Sequence, residues 1–173
     1  MPSAVERIQA QLGLVHGFME QTIADCSPEV VQHLFPNSTI GSVASIYAHC
    51  VFGEDRTVHG LMQGKPRIYD GQGWGPKLNV EPPPTGQATL DWQRTFKLDL
   101  PSFREYAKAV HADSDNYLGS LKDSDLDRKI DTRVVGEQTL AWIWDVFILT
   151  HYPIHMGEIA ALKGLQGQKG LPF

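Results

Sequence analysis

Basic residues are in the minority in this chain: 15 Lys and Arg stand against 20 Asp and Glu, a formal net charge of −5. Proteins that grip a phosphate backbone need a clustered positive footprint, so nucleic acid is not an expected partner. Cysteine is scarcer still. Cys26 and Cys50 are the only two, in neither a metal-binding nor a redox spacing, which excludes a disulfide framework and fits reduced thiols. No apolar run reaches the roughly 20 residues that a bilayer span requires. The most hydrophobic stretch, near the C-terminus, is broken by Asp145, Thr150 and His151. The opening Met-Pro-Ser-Ala-Val-Glu-Arg carries an acid early and no apolar core of a secretion signal. A cytoplasmic protein without a membrane partner is the expectation.

Several catalytic signatures are also missing. There is no Gly-x-Ser-x-Gly elbow, no His-Glu-x-x-His of a zinc protease, and no Glu-x-x-His of a di-iron bundle. Gly71, Gly73 and Gly75 lack the spacing of a phosphate loop and open no helix.

What is present is a core. Hydrophobic residues make up 42% of 173 positions, enough for one domain over residues 1–173 that buries about two thirds of its unfolded surface. Ser3 and Glu6 have capping-box spacing, and Val5, Ile8, Leu12, Val15 and Met19 follow at helical period, predicting a helix from about Ala4 to Asp25. Ser27-Pro28 starts a short helical turn, and a second long helix should run from about Thr39 to Gln63. Between Gly64 and Gly86, ten of 23 residues are Gly or Pro, so that span reads as a long irregular crossover. Ser102 and Glu105 suggest a cap for a third helix from about Phe103 to Leu121. Arg128 to Val135 alternates as an extended segment before Gly136 turns the chain into a last helix. Four long helices with one long join predict an all-α four-helix bundle with a crossover between the second and third helices.

The last helix carries the chemistry. Trp142 to Leu165 has an apolar face, and His151 and His155 are four apart on one side of it, close enough to share a metal ion. A histidine on an apolar face is more often a core group satisfied by a carbonyl, so the pair needs a third donor. His49, with Ile46 and Gly53 on one stripe of the second helix, is the candidate. Three neutral imidazoles suit Zn, Ni, Cu or Fe and leave a coordination position open.

His49 with Glu54, the Gly/Pro-rich crossover, the short extended segment and the terminal His151-x-x-x-His155-x-Gly157-Glu158-Ile159 together resemble the DinB-like (DinB/YfiT) bundles over essentially the whole chain. The resemblance implies a bundle commonly assembled as a homodimer, with a metal site formed by His49, His151 and His155 and usually holding Zn or Ni. It implies a transferase, isomerase or hydrolase in which the metal activates a low-molecular-weight thiol or water towards a small-molecule substrate. The alternative is a non-catalytic bundle whose ion is structural or sensory.

Further residues take expected roles around that site. Glu158 lies on the face of the two histidines and suits a ligand's hydrogen-bond acceptor, a fourth ligand or a general base, unless it is a plain surface carboxylate. Arg56, two turns beyond His49, would hold a carboxylate of substrate or thiol cofactor, or a rim salt bridge. Trp144 and Ile148 would line the pocket or belong to the core. Pro153, between the two histidines, should kink the helix. His16 reads as solvated or interfacial, and His33, His59 and His111 as surface residues.

Overall fold

The computed structural model describes residues 1–84 and 86–173. Helix α1 (Ala4–Ile23) begins at the expected capping box: the Ser3 hydroxyl accepts the Glu6 N–H, and the Glu6 carboxylate accepts the Ser3 N–H at 2.7 Å. Ser27 caps the five-residue α2 (Pro28–Gln32). Helix α3 (Val43–Glu54) is apolar almost all round, with Val43, Ala44, Ile46, Tyr47, Cys50 and Val51 buried, which marks it as the central element. It continues as a π-helical stretch, Asp55–Met62.

The crossover is more ordered than its composition suggests. It holds α4 (Ile68–Gly71) and α5 (Trp74–Leu78), and α6 (Leu90–Thr95) follows it. The reason is tertiary. The buried Asp55 carboxylate accepts the N–H groups of Ile68 and Tyr69 at 2.8 and 2.9 Å and the Tyr106 hydroxyl at 2.7 Å, tying the start of α4 to the bundle. Gly73 and Asn79, both left-handed, bracket α5.

Helix α7 (Leu100–Gly119) starts earlier than the Ser102–Glu105 spacing predicts, because Asp99 is the cap and accepts the Ser102 N–H. Proline at position 101 then falls in the first turn, where a missing N–H costs nothing. After a 3₁₀ turn (Asp123–Asp127), strands β1 (Lys129–Asp131) and β2 (Glu137–Thr139) form an antiparallel hairpin with Lys129 opposite Thr139. Gly136 (φ 77°) therefore turns the chain into a strand, and Thr139 caps the helix that follows. That last helix runs through α8 (Leu140–Ile143), a π-helical stretch (Trp144–Thr150) and α9 (His151–Leu165).

The predicted four-helix bundle is what forms: α1 packs on α7 and α9, and α3 packs on α7 and α9. Its core runs from Leu12, Met19 and Ile23 through Phe52, Phe103 and Tyr106 to Leu140, Trp144 and Ile159. Each such side chain contributes about 1.5–3 kcal/mol on burial, before the loss of conformational entropy is counted. No helix among the described residues is long and apolar enough to cross a membrane.

Candidate metal centre

The packing of α3 on α9 brings His49 against His151 and His155, the first and fifth residues of α9. Each offers a ring nitrogen, and these donor atoms all lie within 4.8 Å of one another. His49 Nε2 and His151 Nε2 are 2.9 Å apart. Centroid separations are 4.8 Å for His49 and His151, 5.0 Å for His49 and His155, and 4.5 Å for His151 and His155. The corresponding ring planes cross at 69°, 90° and 80°. Steeply crossing planes matter because an imidazole lone pair lies in the plane of its ring, so a shared ion must lie in every ligand's plane. Burial, followed by the neighbouring His155 and Arg56, lowers the pKa of His49 to about 4. Burial, followed by His49 and His155, lowers that of His151 to about 3. Both rings are therefore neutral near pH 7, the form that donates to a metal.

Glu158 lies where helical spacing places it, and its Oε2 is 2.6 Å from His155 Nδ1. Pro153 does not break the pair. It is the exposed third residue of α9, directly after the π-helical stretch, where the helix is changing its hydrogen-bond spacing and tolerates a residue without an N–H. A cavity of about 450 Å³ opens at the cluster, lined by Thr39, Ile46, His49, Gln87, His155 and Glu158 among others. Arg56 lines an adjoining cleft with His49 and Phe52. Trp144 and Ile148 are fully buried, and Trp144 stacks on Tyr117, in the bundle core rather than at the cavity.

A second polar cluster overturns the solvated or interfacial reading of His16 and the surface reading of His111. His16 and His111 are buried and stack face to face, centroids 3.7 Å apart and planes 11° from parallel. Between their helices stands Glu54, 1% exposed: its Oε2 is 3.0 Å from His16 Nε2 and 3.9 Å from His111 Nε2, and its Oε1 accepts the Ser114 hydroxyl. Burial alone would raise the Glu54 pKa, but the charge and hydrogen bond of His16 outweigh it and hold the carboxyl at about 2. Burial would likewise depress His16, yet Glu54 raises it. His111, with burial dominant, drops to about 4. The pattern was available in the sequence: His16 continues the stripe Ile8, Leu12, Met19, Ile23, and His111 the stripe Ala107, Ser114, Leu118. His33 is exposed as expected, while the half-buried His59 bonds the Pro66 carbonyl and lies 3.5 Å from Asp113.

By distance both clusters could hold a metal ion. They differ in geometry. With centroids 3.7 Å apart and planes only 11° from parallel, the two ring planes do not meet near the rings, so His16 and His111 cannot both aim a lone pair at one ion without turning a ring. The Nε2 of His16 is already engaged by Glu54 at 3.0 Å.

A family model described as the DinB superfamily matches residues 19–159, a span that contains His49, His151 and His155. The crystal structure of a conserved protein from Enterococcus faecalis superposes with a TM-score of 0.82 at 17% identity, covering 97% of this chain and 100% of that one. At that identity the likeness shows a shared fold. No curated protein matches the sequence.

Proposed function

The chain belongs to the DinB superfamily, and on that premise we propose that it binds a divalent metal ion through His49, His151 and His155 and uses it as a metal-dependent transferase or hydrolase. The carrying observation is the set of three imidazoles from two packed helices, converging within 4.8 Å on planes that cross at 69° to 90°. Zn or Ni suits three nitrogen donors. When bound, the ion supplies Lewis acidity that draws the proton of a coordinated water or thiol towards release near neutral pH.

The rest is done by the chain. Glu158 accepts the His155 Nδ1 proton, which fixes the tautomer and leaves Nε2 as the donor. The same carboxylate, at the wall of the cavity, can take a proton from an incoming nucleophile. The cavity of about 450 Å³ admits a small-molecule substrate or a low-molecular-weight thiol, and Ile46 gives it an apolar side. As in the bundles it resembles, the protein is read as a homodimer.

The test is elemental analysis of untagged protein beside a His151→Ala, His155→Ala double variant, followed by thiol-transfer and hydrolysis assays over a panel of electrophiles. Stoichiometric Zn or Ni lost in the variant, with turnover that follows metal content, supports the reading. Metal without turnover leaves a structural or sensory ion, and wild type that takes up no ion removes the site altogether.

A further inference from the structure

Seven arginines occur in the chain. The guanidiniums of five have partners: Arg7 bonds the Pro2 carbonyl, Arg67 pairs with Asp70, Arg94 bonds the Ser38 carbonyl, Arg104 pairs with Glu20, and Arg128 bonds Tyr117 and the Met62 carbonyl. Among the described residues, Arg56 and Arg133 have none. These two line one cavity of about 600 Å³, with Leu61, Val134 and Phe147 as its apolar surface.

Both side chains are exposed, and both stand on backbone that the fold fixes. Arg133 sits at φ 60° in the hairpin turn, a left-handed conformation that costs a non-glycine residue energy. The turn is over-determined: Asp131 Oδ1 accepts the Arg133 N–H, and the Thr132 hydroxyl accepts the N–H of Val135 at 2.9 Å and bonds the Gly136 carbonyl. The Arg56 guanidinium lies directly over Gly86, where a Cβ would collide with it, so the crossover leaves room for that group. Arg56 also borders the cleft that reaches His49, and Gln87 borders both this cavity and the one at the histidines.

We propose that Arg56 and Arg133 form an anion site for a small amphiphilic ligand, a carboxylate or phosphate ester whose apolar body rests on Leu61, Val134 and Phe147. Two exposed guanidiniums without protein anions, at one cavity of an otherwise acidic molecule, match that chemistry. Assigning this ligand as the substrate of the neighbouring histidine centre rests on the function proposed above; the anion site itself does not.

The probes are benzoate and phenyl phosphate, with uncharged benzamide as control, titrated calorimetrically into wild type, Arg56→Gln, Arg133→Gln and the His151→Ala, His155→Ala variant. Expected is salt-sensitive binding of one or both anions, weaker by about tenfold or more in either arginine variant. Benzamide should not bind, and the histidine variant should retain the anion. The preferred anion tells carboxylate from phosphate ligands. Arg133→Gly, which relieves the positive φ, reports the same loss should Gln disturb the turn. Anions that bind no better than benzamide, or equally well to Arg133→Gln, overturn the site. Binding lost in the histidine variant but kept in both arginine variants places the anion on the metal, which removes this site and leaves the metal reading standing. Arginine-dependent binding to a wild type that holds no metal does the reverse.

Discussion

His155 Nδ1 and Glu158 Oε2 lie 2.6 Å apart, one turn from each other on α9. Under the proposed function, Glu158 accepts a hydrogen bond from the His155 Nδ1–H, and the other ring nitrogen is left to hold the ion. Glu158→Gln keeps the shape but weakens the acceptor. Metal affinity should fall by about 10- to 100-fold, measured by competition with a chromogenic chelator, while the metal-free protein keeps its stability to within about 0.5 kcal/mol. Unchanged affinity would assign Glu158 to the surface.

Chelation is expected to lower the Tm of wild type and leave the His151→Ala, His155→Ala variant unmoved. An ion at about 1,000 times its Kd stabilises by about 4 kcal/mol, a shift on the order of 10 °C for a chain of this size. Thermal scans with and without chelator decide it.

Glu54 is buried with His16 and Ser114 as its partners. Glu54→Gln leaves His16, buried at 7% exposure, without its anion. Breaking a buried pair by removing one partner costs about 3–5 kcal/mol. A drop in the urea midpoint equivalent to less than about 1 kcal/mol would show that the pair is not carrying structure.

The same cluster sets a pH dependence. His111, at about 4 when folded, is more basic in the unfolded chain, so its contribution is lost as pH falls from about 6.5 towards 4. Glu54, at about 2, is less acidic when unfolded, so its contribution is lost as pH falls from about 4.3 towards 2. His16, raised, contributes fully below its unfolded pKa and loses that contribution as pH rises through the folded value. Urea midpoints should therefore fall steadily on the acid side of pH 6.5. A flat profile down to pH 4 would contradict this arrangement.

Pro153→Ala tests the junction between the π-helical stretch and α9. Since Pro153 is exposed and the helix passes through it unbroken, stability should change by less than about 1 kcal/mol and metal content not at all. A lost metal would mean that the ring aims the histidines.

The bundle, its crossover and the pairing of His151 with His155 were legible because each is a local pattern: apolar residues at helical period, glycine and proline between them, two histidines one turn apart. The cap at Ser3 was legible for the same reason, since its bonds span three residues. Where two local signals competed, at Asp99 and Ser102, the pattern alone chose the wrong cap.

What the sequence determined by itself was the order of the four long helices, the apolar stripe each carries and the pairing of His151 with His155 on one of them. Only the tertiary structure decided which histidines meet. His49 joins His151 across a separation of 102 residues, and His16 reaches Glu54 across 38. Helical spacing fixes directions within one element, but the meeting of two elements depends on how their surfaces pack, and α3 presents buried groups on every side. Glu54 and Asp55, adjacent in sequence, accordingly serve opposite purposes: one is held charged by His16, while the other anchors the crossover through Ile68, Tyr69 and Tyr106.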